Sequence, residues 1–515
     1  MQGTNAHTTA QCGNGVGMPR TGNDYLQSLQ DERCVYLDGS RLSDVSNHPA
    51  LRNAVRSIAA LYDFQSHPEN IARMTFETPS GRRVNRSWQL PTSYKDLVAR
   101  REALVSWAEL HQGFMGRSPD HVASTLSAMT MGLDIYESYP GGRASRVHDY
   151  YKYARDNDLY VSYVIMDPQG DRSKGTGEAG NADLAAAICD EDAAGITVRG
   201  AKMLGTGATL SNEVLVTSVR PLKPEEDRYA FTAVVPIAAK GVKLLSRRSY
   251  EGAASTAFDY PLSTHFDEND ALIYFDEVKI PWERVFVYRD TKCQYTQWTD
   301  TQAHAYQNYQ SEIRLLVKLR FLVGLARKIT ETIGTINYPS VRETLGELAS
   351  CVGTIEAFVL AMEAKGYHQG PYYLPDPQLL YAAQVQSQLI YPKVIHTLRE
   401  LSGAGVLMLP SNSADLENPE IADIVHKTQY SPVMSSTERV QLFKLAWDAV
   451  GSEFASRHLQ YEMFYSGSRL ITAERCYRHF DWQRATGAVD QVAASYPRPA
   501  EIFPPARWPI TAAGE

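Results

Sequence analysis

The hydrophobic period of this chain changes twice along its length, and that change limits the fold more than any single motif does. Between residues 21 and 159 apolar side chains recur at helical spacing. Leu51, Val55, Ile58, Ala59 and Leu61 share one face, and Leu97, Leu104, Trp107 and Leu110 share another. Pro91 and Ser93 are start signals for the second of these helices. Between residues 160 and 290 the pattern shortens to β-branched and aromatic runs: Tyr160–Met166, Ile196–Leu204, Glu213–Val219, Tyr229–Ile237, Val242–Leu245 and Ala271–Ile280. Turn residues separate them, which predicts an antiparallel β-domain. From 297 to 480 the helical period returns, with Ile313, Leu316, Val317, Leu319, Leu322, Val323 and Ala326 forming a wide apolar stripe. The stretches 340–366, 376–402 and 436–460 behave alike, which predicts a bundle and often an oligomer core.

At 515 residues the chain is too long for one core, so several domains are expected. The divisions read from the pattern are an N-terminal extension over 1–20, a helical domain over 21–159, a β-domain over 160–290, a helical bundle over 291–480 and a tail over 481–515. The extension is Gly-, Asn- and Thr-rich without an apolar core, so it is not a signal peptide; Met18 is a candidate natural start. No stretch of about 18 apolar residues is read, so no membrane span is expected. Net charge is −8 with no basic block, which argues against nucleic acid. The six cysteines lie far apart and form no CxxC pair, which fits reduced thiols in the cytoplasm.

Familiar catalytic words are missing or misplaced. Gly13-Asn14-Gly15-Val16-Gly17 and Gly403-Ala404-Gly405 do not sit between a strand and a helix, so neither reads as a dinucleotide loop. No NAD(P)H-binding domain is therefore expected. No HExxH occurs, His458 and Glu462 form an isolated i,i+4 pair, and no metal site is expected. No GxSxG elbow occurs either.

The stretch Gly116-Arg117-Ser118-Pro119-Asp120-His121 is different. It joins two helices and places a fixed cation, a capping carboxylate and an imidazole within six residues. With Thr21–Asp31, Gly113–Met115, Phe258–Ser263, Phe266–Ala271, Ile280–Glu283, Trp447–Phe454 and Tyr465–Ser468, it resembles the 4-hydroxyphenylacetate 3-hydroxylase family. That family is the large oxygenase component of two-component flavin monooxygenases. The resemblance runs from about Thr21 to about Arg469. It implies an α+β, acyl-CoA-dehydrogenase-like fold: an N-terminal helical domain, a β-barrel and a C-terminal four-helix bundle, with flavin between barrel and bundle.

The resemblance also implies an activity. Such enzymes take FADH2 from a separate NAD(P)H:flavin reductase, form a C4a-hydroperoxyflavin with molecular oxygen, and hydroxylate a phenol. The site must stay dry, hold the small aromatic substrate in line, and stabilise charge on the phenolic oxygen. A homodimer or homotetramer is implied as well. Carried over by position, Tyr163, Val164, Ile165, Gln169, Gly170, Asp171, Arg172, Thr206, Phe464, Tyr465, Ser466 and Gly467 are the expected cofactor-binding residues. Arg117, His121 and Tyr163 are the expected catalytic residues. With Ser218, Val219 and Arg220, which match a mobile segment over the substrate, they also make the expected substrate site.

Three positions depart from the family. The phenylacetate hydroxylases have tyrosine where this chain has His121, and a catalytic histidine where it has Tyr163. Arg220 stands near a small polar residue that meets the substrate carboxylate. Chlorophenol-type relatives share an Arg-Pro there, but lack His121 and Tyr163. The expected substrate is therefore not 4-hydroxyphenylacetate, and oxidative desaturation or another oxygenation of a non-phenolic secondary metabolite is the alternative. The family also resembles 4-hydroxybutyryl-CoA dehydratase, but no cysteine lies between Cys34 and Cys189 to hold its iron–sulfur cluster.

Overall fold

Ser93 caps the helix Tyr94–Leu110 by accepting the Asp96 N–H, as its place before the periodic run predicts. The computed structural model describes residues 17–137, 142–170 and 183–496. Among the N-terminal helices, Arg52–Ser66 buries Val55, Ile58, Ala59 and Leu61 as expected. The helix Pro119–Met131 buries every one of its residues. Apart from Asp120 and His121 it is apolar or small all round, because it lies between strand Val161–Val164 on one side and helix Ala303–Thr332 on the other.

Two sheets follow. The larger runs in the order Ser40–Arg41, Val35–Leu37, Val242–Ser246, Asp270–Pro281, Gly195–Thr206, Ala187–Asp192. The smaller runs Val285–Tyr288, Phe231–Pro236, Glu213–Val216, Val161–Val164. They are not purely antiparallel, which corrects the reading from sequence. Val35 lies opposite Leu244 in one parallel pair, and Tyr163 lies opposite Leu215 in another. In each pair the chain leaves one strand and returns to the other only after long intervening structure, which is what parallel pairing requires. Strand Ala187–Asp192 escaped the sequence reading because its second half, Cys189-Asp190-Glu191-Asp192, is a polar, exposed edge.

The C-terminal bundle contains helices Ala303–Thr332, Pro339–Ala364, Pro377–Ser402, Ser436–Val450 and Glu453–Phe464. The run expected over 436–460 is split at Gly451. A Cβ there would run into the Trp447 ring, and Ser452 restarts the helix by accepting the Ala455 N–H. Part of the expected tail is helical, over Trp482–Ala494. Pro339–Ala364 is long and apolar enough to cross a membrane by length and composition alone, although Glu347, Glu356 and Glu363 interrupt its apolar run. It packs in the bundle and buries Leu348, Cys351, Ile355, Val359 and Met362, while much of its remaining surface is uncovered. The i,i+4 pair His458–Glu462 is buried. Lys318 Nζ contacts His458 Nδ1 at 3.0 Å, and Glu462 accepts from Arg314 and Lys318.

Candidate active site

Pro119 at the first turn starts the buried helix and leaves Arg117 in the loop just before it. The loop is tight because Gly116 lies against Tyr461, so any Cβ at 116 would meet the phenol ring. The Arg117 N–H donates to Glu268 Oε2 at 2.8 Å, and its carbonyl accepts the Tyr160 hydroxyl at 2.7 Å. Both bonds fix where the guanidinium starts. It ends between two aromatic faces, 5.0 Å from the Tyr163 centroid and 5.2 Å from that of Tyr461. Burial opposes its charge, but Tyr163, Tyr461 and Glu268 outweigh that cost and hold its pKa above the ordinary value.

Arg117 Nη1 also lies 2.6 Å from His121 Nε2. A guanidinium has donors only, so Nε2 must accept and the ring proton sits on Nδ1. That assignment fits the far side of the ring, where Nδ1 lies 2.9 Å from Gln310 Oε1. The Gln310 amide nitrogen in turn donates to Asp120 Oδ2 at 3.1 Å, and Ser118 Oγ donates to Oδ1 at 2.5 Å. Burial, then Arg117, hold the His121 pKa well below its usual value, so the ring is neutral. It stacks on Tyr163 with centroids 5.4 Å apart and planes 21° apart. Burial raises the Tyr163 pKa against the pull of Arg117. The structure thus brings Arg117, His121 and Tyr163 into one buried stack.

Thr206 closes strand Gly195–Thr206 and donates to Asp270 Oδ1 at 2.5 Å. Arg457, from the bundle, binds the same carboxylate at 2.6 and 3.0 Å and Glu268 at 3.0 Å. Although burial works against ionisation, Arg457 and Arg247 depress the Asp270 pKa strongly. This ion network ties barrel to bundle across the site. Val164 and Ile165 continue from Tyr163, and Met166 bridges to Met203, so Gln169 and Gly170 follow beside the Thr206 strand, both exposed. Asp171 and Arg172 lie outside the described residues.

Ser218 is buried and fixed at its start: Lys202 Nζ donates to its hydroxyl at 2.7 Å and Trp298 Nε1 to its carbonyl at 2.9 Å. Val219 is half-buried, and Arg220 binds Glu226 at 3.0 Å and Asp167 at 3.5 Å. On the bundle side, helix Glu453–Phe464 ends before Tyr465, and Gly467 takes a left-handed φ of 112°. Phe464 is exposed. Tyr465 stacks on Tyr461 one turn earlier, with centroids 5.6 Å apart, and donates to Glu312 at 2.8 Å.

The model of the 4-hydroxyphenylacetate 3-hydroxylase N-terminal region matches residues 21–287, and that of the C-terminal region matches 295–494. The chain belongs to the 4-hydroxyphenylacetate 3-hydroxylase family. It is 35% identical over 503 residues to the 4-hydroxyphenylacetate 3-monooxygenase oxygenase component of Klebsiella oxytoca, covering 96% of this chain and 94% of that one. It is 37% identical over 453 residues to the pyoverdin chromophore biosynthetic protein of Pseudomonas aeruginosa, covering 87% and 89%. The crystal structure of a 4-hydroxyphenylacetate 3-monooxygenase oxygenase component complexed with FAD superposes with a TM-score of 0.87 at 28% identity, over 92% of this chain and 98% of that one. The fold is the α+β, acyl-CoA-dehydrogenase-like one that the sequence implied.

Family membership can be tested against the residues present. The Tyr461 hydroxyl and Ser466 Oγ are both buried, with no hydrogen-bond partner among the described residues. Such orphaned groups, on the two sides of Tyr465, suit a polar ligand lying along this face. Glu268, Asp270, Gln310, Arg457 and Tyr461 were not singled out from the sequence. Two signals were available: the acid-rich word Phe266–Ala271, and the i,i+4 pairing of Tyr461 with Tyr465.

Proposed function

We propose that this chain is the FADH2-using oxygenase component of a two-component monooxygenase, hydroxylating a phenolic or related aromatic substrate other than 4-hydroxyphenylacetate. The observation that carries the reading is the Arg117 guanidinium. It is buried between two tyrosine rings, and among the described residues no carboxylate is hydrogen-bonded to it. A phenolic oxygen placed there meets a preorganised cation in a water-poor site, where charge developing on it is stabilised most.

When bound, reduced flavin would supply oxygen activation. The chain's own residues orient and exclude water. Thr206, Val164, Ile165 and Gln169 to Arg172 serve the barrel side of the cofactor, and Phe464 to Gly467 the bundle side. His121 and Tyr163 wall the aromatic substrate, with His121 as a neutral hydrogen-bonding group. Ser218, Val219 and Arg220 cover it. Arg220 is already engaged by Glu226 and Asp167, so a substrate carboxylate would compete with two protein carboxylates there. This favours a substrate lacking a free carboxylate. The Pseudomonas relative, named for pyoverdin chromophore biosynthesis, supports a spread of substrates within the family.

The domain boundaries read from the sequence, 21–159, 160–290 and 291–480, are kept in this reading. A separate NAD(P)H:flavin reductase supplies FADH2 in the cytoplasm. Exposed Leu360, Leu389, Leu407 and Met408 on the bundle support a homodimer or homotetramer.

The test is a single turnover. Anaerobic protein with reduced FAD is mixed with oxygen, with and without a panel of phenols, and the flavin spectrum is followed. A transient distinct from reduced and oxidised flavin, followed by product, is expected. Direct reoxidation with no transient under every condition would sink the proposal.

A further inference from the structure

We propose that Gln310 and Asp120 are positioning residues for the phenol site: together they set which nitrogen of His121 carries the proton, and through it the aim of the Arg117 guanidinium. The proposal rests on the phenol reading above, but its first readout needs no substrate.

One amide from the bundle straddles two adjacent residues of helix Pro119–Met131. Gln310 Oε1 lies 2.9 Å from His121 Nδ1, and Gln310 Nε2 donates to Asp120 Oδ2 at 3.1 Å. Asp120, His121 and Gln310 are all buried, so bulk water does not compete for these groups. Further along the same seam Thr125 Oγ1 donates to Gln307 Oε1 at 2.7 Å, which holds the two helices in register.

This row of contacts permits one arrangement of protons. At one end Arg117 only donates, and its Nη1 is closer to Nε2, at 2.6 Å, than to Nδ1, at 3.3 Å. At the other end an ionised Asp120 only accepts. Burial raises the Asp120 pKa, while Ser118, Gln310 and the buried Arg100 favour its charged form. Ser118 Oγ donates to its other oxygen at 2.5 Å. Turning the Gln310 amide over would set its carbonyl against the Asp120 carboxylate and its NH2 against His121 Nδ1. The ring proton would then move to Nε2, facing a guanidinium N–H. Both ends clash, so the carboxylate fixes the amide and the amide fixes the tautomer.

The consequence reaches the phenolic oxygen. Among the described residues His121 is the one hydrogen-bond partner of the Arg117 side chain. The Nε2 lone pair therefore holds Nη1, and with it the direction in which the remaining donors face. Asp120 stands three residues from Arg117, yet it acts on the guanidinium by way of Gln310 and His121.

The experiment labels the histidines of the full-length protein isotopically and reads each His121 ring nitrogen by nitrogen NMR. His121→Asn identifies the signals. The proteins are wild type, Asp120→Asn, and Asp120→Asn combined with Gln310→Glu. Wild type is expected to carry the proton on Nδ1. In Asp120→Asn the new NH2 faces Gln310, whose amide turns over, and the proton moves to Nε2. Adding Gln310→Glu returns an acceptor to both neighbours at unchanged net charge and should restore the proton to Nδ1. The second readout is binding of 4-nitrophenol, whose ionised form is coloured. Asp120→Asn should weaken binding of the phenolate about tenfold, and the added Gln310→Glu should recover most of it. A wild-type proton on Nε2 overturns the proposal. So does an unmoved proton in Asp120→Asn, which with a lowered Tm would leave Asp120 as a helix-capping residue alone. If Asp120→Asn does not fold, the double variant decides: a folded protein with the proton on Nδ1 supports the chain of contacts, and any other result overturns it. A proton that moves and returns while 4-nitrophenol binding stays constant overturns the link to Arg117. Wild type that binds no 4-nitrophenol would count against the phenol reading instead, and the proton series would still decide what sets the tautomer.

Discussion

Arg117 Nη1 donates to His121 Nε2 across 2.6 Å, and the bond ties a permanent cation to an imidazole that stays neutral while it lasts. The lone pair that a free histidine would offer a phenol proton is therefore occupied. The Nδ1 proton is committed to Gln310. The position of the His121 ring is thereby held by Arg117 and Gln310.

This has a consequence for the pH–rate profile. The His121 pKa lies well below 6.5, so kcat/KM is expected to show no limb near 6.5 that belongs to it. His121→Asn should lower kcat/KM about 100-fold through lost positioning while leaving the profile shape between pH 6 and 8 unaltered. A wild-type limb near 6.5 that vanishes in the variant would contradict the neutral assignment.

Gly116→Ala places a methyl group against the Tyr461 ring. Neither partner has room to move, since Tyr461 is packed among Arg117, Arg314, Arg457 and Tyr465. Overpacking of this kind costs about 1–3 kcal/mol. The measurement is Tm together with flavin affinity, and both should fall. An unchanged affinity would show that the loop and Tyr461 shift without disturbing the site.

The buried cluster of Glu462 with Arg314 and Lys318 predicts a large stability effect. Glu462 accepts from Arg314 at 2.6 and 2.8 Å and from Lys318 at 2.9 Å, with all three side chains within 1% of full burial. Burial alone would raise the Glu462 pKa, but the two cations outweigh it and hold it at about 2. Glu462→Gln strands two buried cations and should cost about 3–5 kcal/mol in denaturant unfolding. Combining it with Lys318→Met should recover part of that loss, because one stranded charge is gone.

Stability should depend on pH in two regimes. His111, pushed down to about 3 by burial, and His121, His304 and His458 are neutral in the fold. Below the unfolded value of 6.5 only the unfolded chain takes up their protons, so they weaken the fold as pH falls. Glu251 and Glu312, each raised to about 7 by burial, act oppositely between 4.5 and 7, where the fold keeps a proton the unfolded chain has lost. Asp120, Asp158 and Asp448, raised by burial, act in the same direction as these two. Between about 4.5 and 6.5 the two glutamates and the raised aspartates offset part of the loss from the four histidines. Below about 4.5 the depressed Glu462 and Asp270 join the histidines. Stability, followed by Tm, should therefore fall gently down to about pH 4.5 and more steeply below it, at about 1.4 kcal/mol per unit for each uncompensated titrating group. A loss between pH 6.5 and 5 as steep as that below 4.5 would refute this ordering.

Local pattern alone determined the three-part order of the chain, the start of helix Tyr94–Leu110 at Ser93, and the family words around Gly116 and Tyr465. Helical and strand periods are properties of neighbouring residues, and they survive without tertiary information. Tertiary structure decided the rest. Gln310 is 189 positions from His121, and Glu268 is 151 from Arg117. Nothing local marks such partners, because a buried polar group chooses whatever satisfies it across the fold. The same holds for the parallel pairing of Tyr163 with Leu215, which sets the stack on His121, and for the burial of His458 and Glu462. The sequence named Arg117, His121 and Tyr163; only the packed helix Pro119–Met131, held between sheet and bundle, turned them into one neutral-walled, cation-centred site.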